Sequence, residues 1–229
     1  MNIKKYFLLA VSFLLFSACE YDNYEPPKSM LTGTVMYNNE PVRVASAQVT
    51  FRLFQSGFDR REPITVQVGP DGSYHAMLFN GTYQLVLPSG QGPYVQNTNM
   101  DTLEIVVKGE TEQNIEVLPY YSISDLQLST SDRKVDAALN LEKIVTGDAA
   151  KEIESISLFV NTTRFANIRN NVVSSTISGA DITNLGAVQL SAEVPELTPS
   201  QGYVFARIGV KIQNVEDRLF SKVEKVQLK

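Results

Sequence analysis

The sequence predicts an all-β protein, two tandem β-sandwiches behind a cleaved lipoprotein signal peptide. Three observations carry that prediction. Apolar and polar residues alternate with period two in many short stretches, and period two puts successive side chains on opposite faces of a strand. Gly, Pro, Asn and Asp turn signals separate these stretches at regular intervals, the pattern of sandwiches. No amphipathic helical pattern longer than two turns interrupts them; "GDAAKEIES" is the best helix candidate.

The chain opens MNIKKYFLLAVSFLLFSAC. Lys4 and Lys5 form a positive start, and the apolar run from Tyr6 to Phe16 is broken only by Ser12. A membrane-spanning helix needs roughly 20 apolar residues to cross a core about 30 Å thick. This run is too short and reads as an export signal, which is set aside from fold reasoning. Phe16-Ser17-Ala18-Cys19 resembles a bacterial lipobox, which implies lipidation of Cys19 and cleavage before it. Several acyl chains, at ~0.8 kcal/mol per buried CH2, anchor stably where one chain is marginal. An ordinary secretory signal containing a cysteine is the rival reading. Cys19 is the only cysteine, so with it lipidated the remaining chain has no thiol and no disulfide. "EYDNYEPP" follows, with two prolines that favour an extended tether. The predicted organisation is 1–18 signal peptide, 19–29 lipidated tether, 30–119 first sandwich and 120–229 second sandwich.

Within the first sandwich, "LTGTVMY" puts Leu31, Gly33, Val35 and Tyr37 on one face, and "AQVTFRLF" alternates Val49, Phe51 and Leu53 with polar residues. "ITVQV", "TYQLVLP", "LEIVVKG" and "NIEVLP" continue the series. Turn signals stand at Asn38-Asn39, Pro70-Asp71-Gly72, Asn80-Gly81, Ser89-Gly90 and Lys108-Gly109. After Pro119 the pattern restarts. "KVDAALNLE" places Val135, Ala137, Leu139 and Leu141 together, and "IESISLFVNTT", "AVQLSAEV", "YVFARIGVKI" and "KVEKVQLK" are further strands.

Some of these segments carry family likenesses. "LTGTV", "EPVRVASAQVTF", "VGPDGSYHAMLFNGTYQLVLP" and "LEIVVKG" resemble the carboxypeptidase regulatory-like, transthyretin-type fold. That resemblance implies a tight turn at Asp71-Gly72, an inward Tyr83 ring and no catalytic residue. "VPELTPSQGYVFARIGVKI" resembles a fibronectin type III strand with its corner. Leu197, Pro199 and Tyr203 match the spacing of a tyrosine corner, whose phenol bonds back to nearby backbone. The whole chain after the signal resembles a family of Bacteroidetes surface lipoproteins without an assigned activity, through Asp22-Asn23-Tyr24 and the block from Asp71 to Tyr83. Members tend to lie near glycan-capture and import genes. The resemblance implies a non-catalytic outer-membrane accessory with a glycan and an outer-membrane receptor or transporter complex as partners.

Composition narrows the function classes. Removing 1–19, which hold Lys4 and Lys5, leaves 18 basic and 25 acidic residues, a net charge of −7. A chain this acidic, without a Lys/Arg run, is a poor nucleic-acid binder. It has one histidine, His75, predicted on the strand face opposite Tyr74, and no tryptophan. A triad would need His75, which reads instead as a solvent-facing or packed strand residue; Cys19 is taken by lipid and no zinc cluster exists, so neither an enzyme nor a cofactor is expected. The carboxylates Glu40, Asp59, Glu62 and Asp71 fall in predicted loops. Sandwich loops carry recognition, and sugars stack on aromatic rings while their hydroxyls bond to amide and charged groups. "QSGFDRREP" offers Phe58 and Arg60; "SGQGPYVQNTNMD" offers Tyr94 and Asn97. For Phe58 and Tyr94 the first reading is as caps on the core ends, and ligand stacking is the second. The alternative function is a fimbrillin-like structural or adhesive subunit, in which 31–37 is released to admit a donor strand after cleavage at Arg43.

Overall fold

The computed structural model describes residues 25–57, 62–88, 90–95 and 102–228. Nearly all regular structure in them is β-strand. The first sandwich contains β1 (Ser29–Tyr37), β2 (Glu40–Pro41), β3 (Thr50–Gln55), β4 (Ile64–Gln67), β5 (Ser73–Leu78), β6 (Gly81–Val86), β7 (Tyr94–Val95), β8 (Thr102–Val107), β9 (Glu110–Glu112), β10 (Ile115–Glu116) and β11 (Leu118–Pro119). The second contains β12 (Tyr121–Ser131), β13 (Lys134–Lys143), β14 (Ile153–Asn161), β15 (Val173–Ser178), β16 (Val188–Glu193), β17 (Tyr203–Ile212), β18 (Leu219–Phe220) and β19 (Glu224–Gln227).

β1 is the spine of the first sandwich. It pairs antiparallel with β5 and β2 along one edge and parallel with β9 and β10 along the other. Its alternation buries Leu31, Gly33 and Val35 and turns Thr32 outward. The facing sheet runs β4-β3-β6-β8. Phe51 from that sheet meets Tyr74 from β5 edge-on, with ring centroids 4.7 Å apart, and Tyr83 is fully buried, its ring inward as the family resemblance implies. Gly33 lies beneath Tyr74, whose hydroxyl donates to Gln113 O. A Cβ there would come 1.8 Å from that same oxygen, so only glycine fits. The β1–β2 turn uses Asn38 and Asn39 at φ 49° and 64°, the pair of positive angles that a two-residue hairpin requires. Gly72 closes the β4–β5 turn at φ 87°, with the Asp71 carboxylate accepting from Ser73 N and Oγ.

The second sandwich packs β12-β13-β16 against β15-β14-β17, with β18 and β19 extending β17's far edge. Val135, Ala137, Leu139 and Leu141 all face its core. β14 and β17 break the alternation: residues 156–160 and 206–210 are buried without interruption. Strands covered on both faces read as continuous apolar runs, and here the second cover comes from Val44 and Ala45 of the first sandwich together with Ala166 and Phe220.

Three expectations need correction. The "GDAAKEIES" segment is a single 3-10 turn, Gly147–Ala149, followed directly by β14, because Ile153, Ile156 and Leu158 are claimed by the sheet. Tyr203 forms no corner among the described residues. Its hydroxyl makes no hydrogen bond to nearby backbone; the ring meets Phe205 edge-on at 5.8 Å and lies 3.8 Å beneath the Lys225 ammonium. β1 begins at Ser29, one residue before the predicted sandwich, because Ser29 Oγ bonds Asn80 Oδ1 and is buried.

Candidate functional site

Where the sandwiches meet, they leave a cleft of about 630 Å³. The β1–β2 hairpin supplies Tyr37, Asn38, Glu40 and Arg43 from one side. The start of β12 and the β18–β19 segment supply Ser122, Asp125, Lys222 and Glu224 from the other. The volume is in the range of small-molecule sites.

Each wall is held from behind. Asn38 and Asn39 turn the hairpin so that Tyr37 and Glu40 stand opposite one another on the ladder. A bulge between Ser124 and Gln127 pushes Asp125 out at φ 51°, where Asn140 Nδ2 donates to its Oδ2 at 2.8 Å. Tyr121, at the floor, is buried and donates its hydroxyl to Lys151 O at 3.0 Å. Burial is the main cause holding that phenol above its ordinary pKa.

The two halves are also bonded across the seam. Phe220 N donates to Arg43 O (3.0 Å), Arg207 Nη2 to Val44 O (3.0 Å) and Gly92 N to Asp217 Oδ2 (2.8 Å). Burial raises the Asp217 carboxyl's pKa above the usual carboxylate value, which the Gly92 bond partly offsets. These links keep the cleft's width from depending on a flexible linker. Its lining mixes amide, hydroxyl, carboxylate and guanidinium groups with the apolar surfaces of Val42, Ile123, Leu126 and Phe220 and a half-buried Tyr37, a combination that suits a ligand with both hydroxyls and C–H faces. Among the described residues no group of three His, Cys, Asp or Glu side chains is arranged to hold a metal.

Sequence reasoning placed the site elsewhere. Tyr94 is a core residue, 4 % exposed, paired with Pro119 through β7 and β11; its ring is therefore unavailable for stacking. Phe58, Arg60, Asn97 and Cys19 lie outside the described residues. His75 is exposed on the outer face of β5, opposite buried Tyr74. Of the flagged loop carboxylates, Glu40 lies in β2 and lines the cleft, while Asp71 closes a turn. Glu62 is exposed, and Asp59 is outside the described residues. The cleft itself was invisible to a strand-by-strand reading because its walls come from three stretches far apart in the chain, Tyr37 to Arg43, Pro119 to Leu126 and Leu219 to Glu224; the Asn-Asn turn signal at 38–39 was its only local trace.

The fold and the cleft define a two-domain all-β protein with a cleft of mixed polar and apolar lining at the domain seam. Family models for the "Protein of unknown function (DUF3823) N-terminal domain" and "Domain of unknown function (DUF3823_C)" match residues 29–118 and 121–225. The chain belongs to this DUF3823 family. A family member from Parabacteroides merdae has a crystal structure 33% identical, with a TM-score of 0.78, covering 90% of this chain and 100% of that one. Another, from Bacteroides ovatus, is 30% identical at TM-score 0.79, covering 88% and 100%. A third, from Bacteroides uniformis, is 18% identical at TM-score 0.71, covering 89% and 100%, and shows the shared fold. No curated protein matches the chain.

Proposed function

We propose that the protein is a non-catalytic, lipid-anchored accessory of the outer-membrane surface that takes part in glycan binding or uptake, with the seam cleft as its glycan site. The carrying observation is the cleft: a preset cavity lined from both sandwiches, with apolar walls that carry charged and hydroxyl groups. A structure of the same fold from Bacteroides uniformis, 17% identical, is described as a "putative carbohydrate binding protein", and this supports the reading. The lipobox ending at Cys19 supports the anchor. We read the first sandwich as carboxypeptidase regulatory-like and the second as fibronectin type III-like. The fimbrillin-like alternative is disfavoured because β1 has both edges paired, so releasing it unzips four partner strands.

Calorimetry of the chain from residue 20 onward against a panel of polysaccharides tests the site. Binding of at least one member is expected, weakened about tenfold by Arg43→Ala through loss of a charged hydrogen bond. No binding across the panel rejects direct glycan recognition. Mass spectrometry of the native N-terminus tests the anchor: an unmodified thiol at Cys19 rejects it.

A further inference from the structure

Loop 162–172, between β14 and β15, differs in charge from the rest of the molecule. From 155 to 180 the chain contains no Asp, Glu or Lys but two arginines, Arg164 and Arg169, in a protein with a net charge of −5. Amide side chains hold the loop in shape. Asn161 Nδ2 donates to Thr163 Oγ1 and Phe165 O, both at 3.2 Å. Asn167 Oδ1 accepts from Arg169 N (2.8 Å) and Asn170 N (3.1 Å), and Asn171 Nδ2 donates to Asn167 O (2.9 Å).

The loop is pinned at Ala166, which is fully buried against Ala45, Phe159 and Phe220. Beside this pin, Phe165 is 60% exposed and Ile168 55% exposed. An ordered loop thus holds two large apolar side chains mostly in water rather than in the core beside it. Arg164 and Arg169 are exposed, and neither side chain has a hydrogen bond or ion pair among the described residues. Five residues apart, their Cα atoms lie at most about 17 Å from each other. One aromatic face and two unpaired cations within that span match a short charged oligomer. They fall well short of the roughly 800 Å² per partner that a stable protein interface buries.

We propose that this loop binds an acidic glycan, one bearing uronate or sulfate groups. The Phe165 ring stacks on the C–H face of a sugar, and Arg164 and Arg169 pair with its carboxylates or sulfates, as guanidinium forks do with planar oxyanions. The proposal rests on the glycan-binding reading and adds to it a ligand class and a second site outside the cleft.

The test uses the chain from residue 20 onward, which keeps every described residue, with polygalacturonate, chondroitin sulfate and neutral dextran as probes in affinity electrophoresis. Retardation by one or both acidic polymers is expected, fading as salt rises, with dextran inert at this loop. Which acidic polymer retards the protein separates uronate from sulfate recognition. Phe165→Ala and the Arg164→Ala/Arg169→Ala pair should each weaken binding about tenfold or more, the scale of a charged hydrogen bond. All three residues are exposed, so an unchanged Tm certifies the fold. Arg43→Ala in the cleft should leave this binding intact. If neutral glycans bind at the cleft and neither acidic polymer binds, the loop proposal fails and the cleft reading stands. If no glycan binds anywhere, both fail. If the arginine pair matters but Phe165→Ala does not, attraction is by charge alone and the loop is not a sugar site.

Discussion

The two sides of the domain seam are built from the same segments and come out opposite. On one side Phe159, Gly209 and Phe220 close against Ala45 and Ala166, burying even Arg207. On the other, the hairpin carrying Tyr37 and Glu40 stands away from β12 and leaves the cleft. Arg43 and Phe220 belong to both, joined backbone to backbone at 3.0 Å. The closed side acts as a fixed hinge pin, and the open side inherits its spacing. A cavity set this way meets its ligand without paying to order itself, which is the usual condition for a small-molecule site.

The largest effect is expected from removing the pin. Phe220→Ala takes a buried ring out from between Phe159 and Arg207. A loss of about 3–5 kcal/mol is expected, as for other buried phenylalanines, together with loss of cleft binding. Urea unfolding checks the first and calorimetry the second. Retained binding in a folded variant breaks the link between the two sides.

Gly209→Ala tests the same contact by overfilling. Its Cβ would sit 2.8 Å from ring atoms of both Phe159 and Phe220, so a cost of about 1–3 kcal/mol is expected from overpacking. Gly202→Ala, where an added Cβ meets nothing within 4 Å, is the control and should unfold close to the parent protein.

Asp217 gives a smaller, pH-dependent effect. Burial holds its folded pKa above the unfolded value, so the folded state binds the proton more tightly. Its stabilising contribution is complete below the unfolded pKa and is lost as pH rises through the raised folded one. Asp217→Asn keeps an acceptor for Gly92 N and removes the titration. The parent protein should therefore lose more stability than the variant as pH rises from 4 to 7, and parallel curves would mean the seam does not perturb this carboxyl.

How much of this was legible in the sequence follows the same division. Half-buried strands announced themselves: Leu31, Gly33 and Val35, or Val135 to Leu141, alternate because one face meets core and the other meets water. The turns did too, since Asn38-Asn39 and Gly72 adopt the positive φ their residue types permit. The seam did not. Continuous burial in β14 and β17 depends on Val44 and Ala45, more than 100 residues earlier, and on Ala166 and Phe220 folding back over the sheet, and no local period encodes that. Tyr94 was misread for the same reason: an aromatic in a Gly/Pro-rich loop looks available until Pro119 and Asp217 are brought over it. The loop at 162–172 left a trace in its missing acids, a compositional signal that strand patterning passes over.

Arg207 makes the sharpest comparison and the smallest expected change. The residue is 2 % exposed and its guanidinium has no carboxylate partner; Nη2 donates to Val44 O, Nε has no partner, and Phe220 stacks 3.8 Å from Cζ. Burial, helped by the nearby charge of Arg43, pushes its pKa down to about 9. The folded value lies below the unfolded one, so its stabilising contribution exists only above the unfolded pKa and is lost as pH falls through about 9. At neutral pH the folded protein thus carries the cost of a buried cation, offset by one hydrogen bond and one ring. Arg207→Met keeps the volume and drops the charge. Its stability at pH 7 should stay within about 1 kcal/mol of the parent, as for other buried charges replaced by apolar side chains. The parent's gain in stability as pH climbs past 9 should be absent from the variant. A loss as large as that of Phe220→Ala would mean that the bond to Val44, rather than apolar packing, pins the closed side.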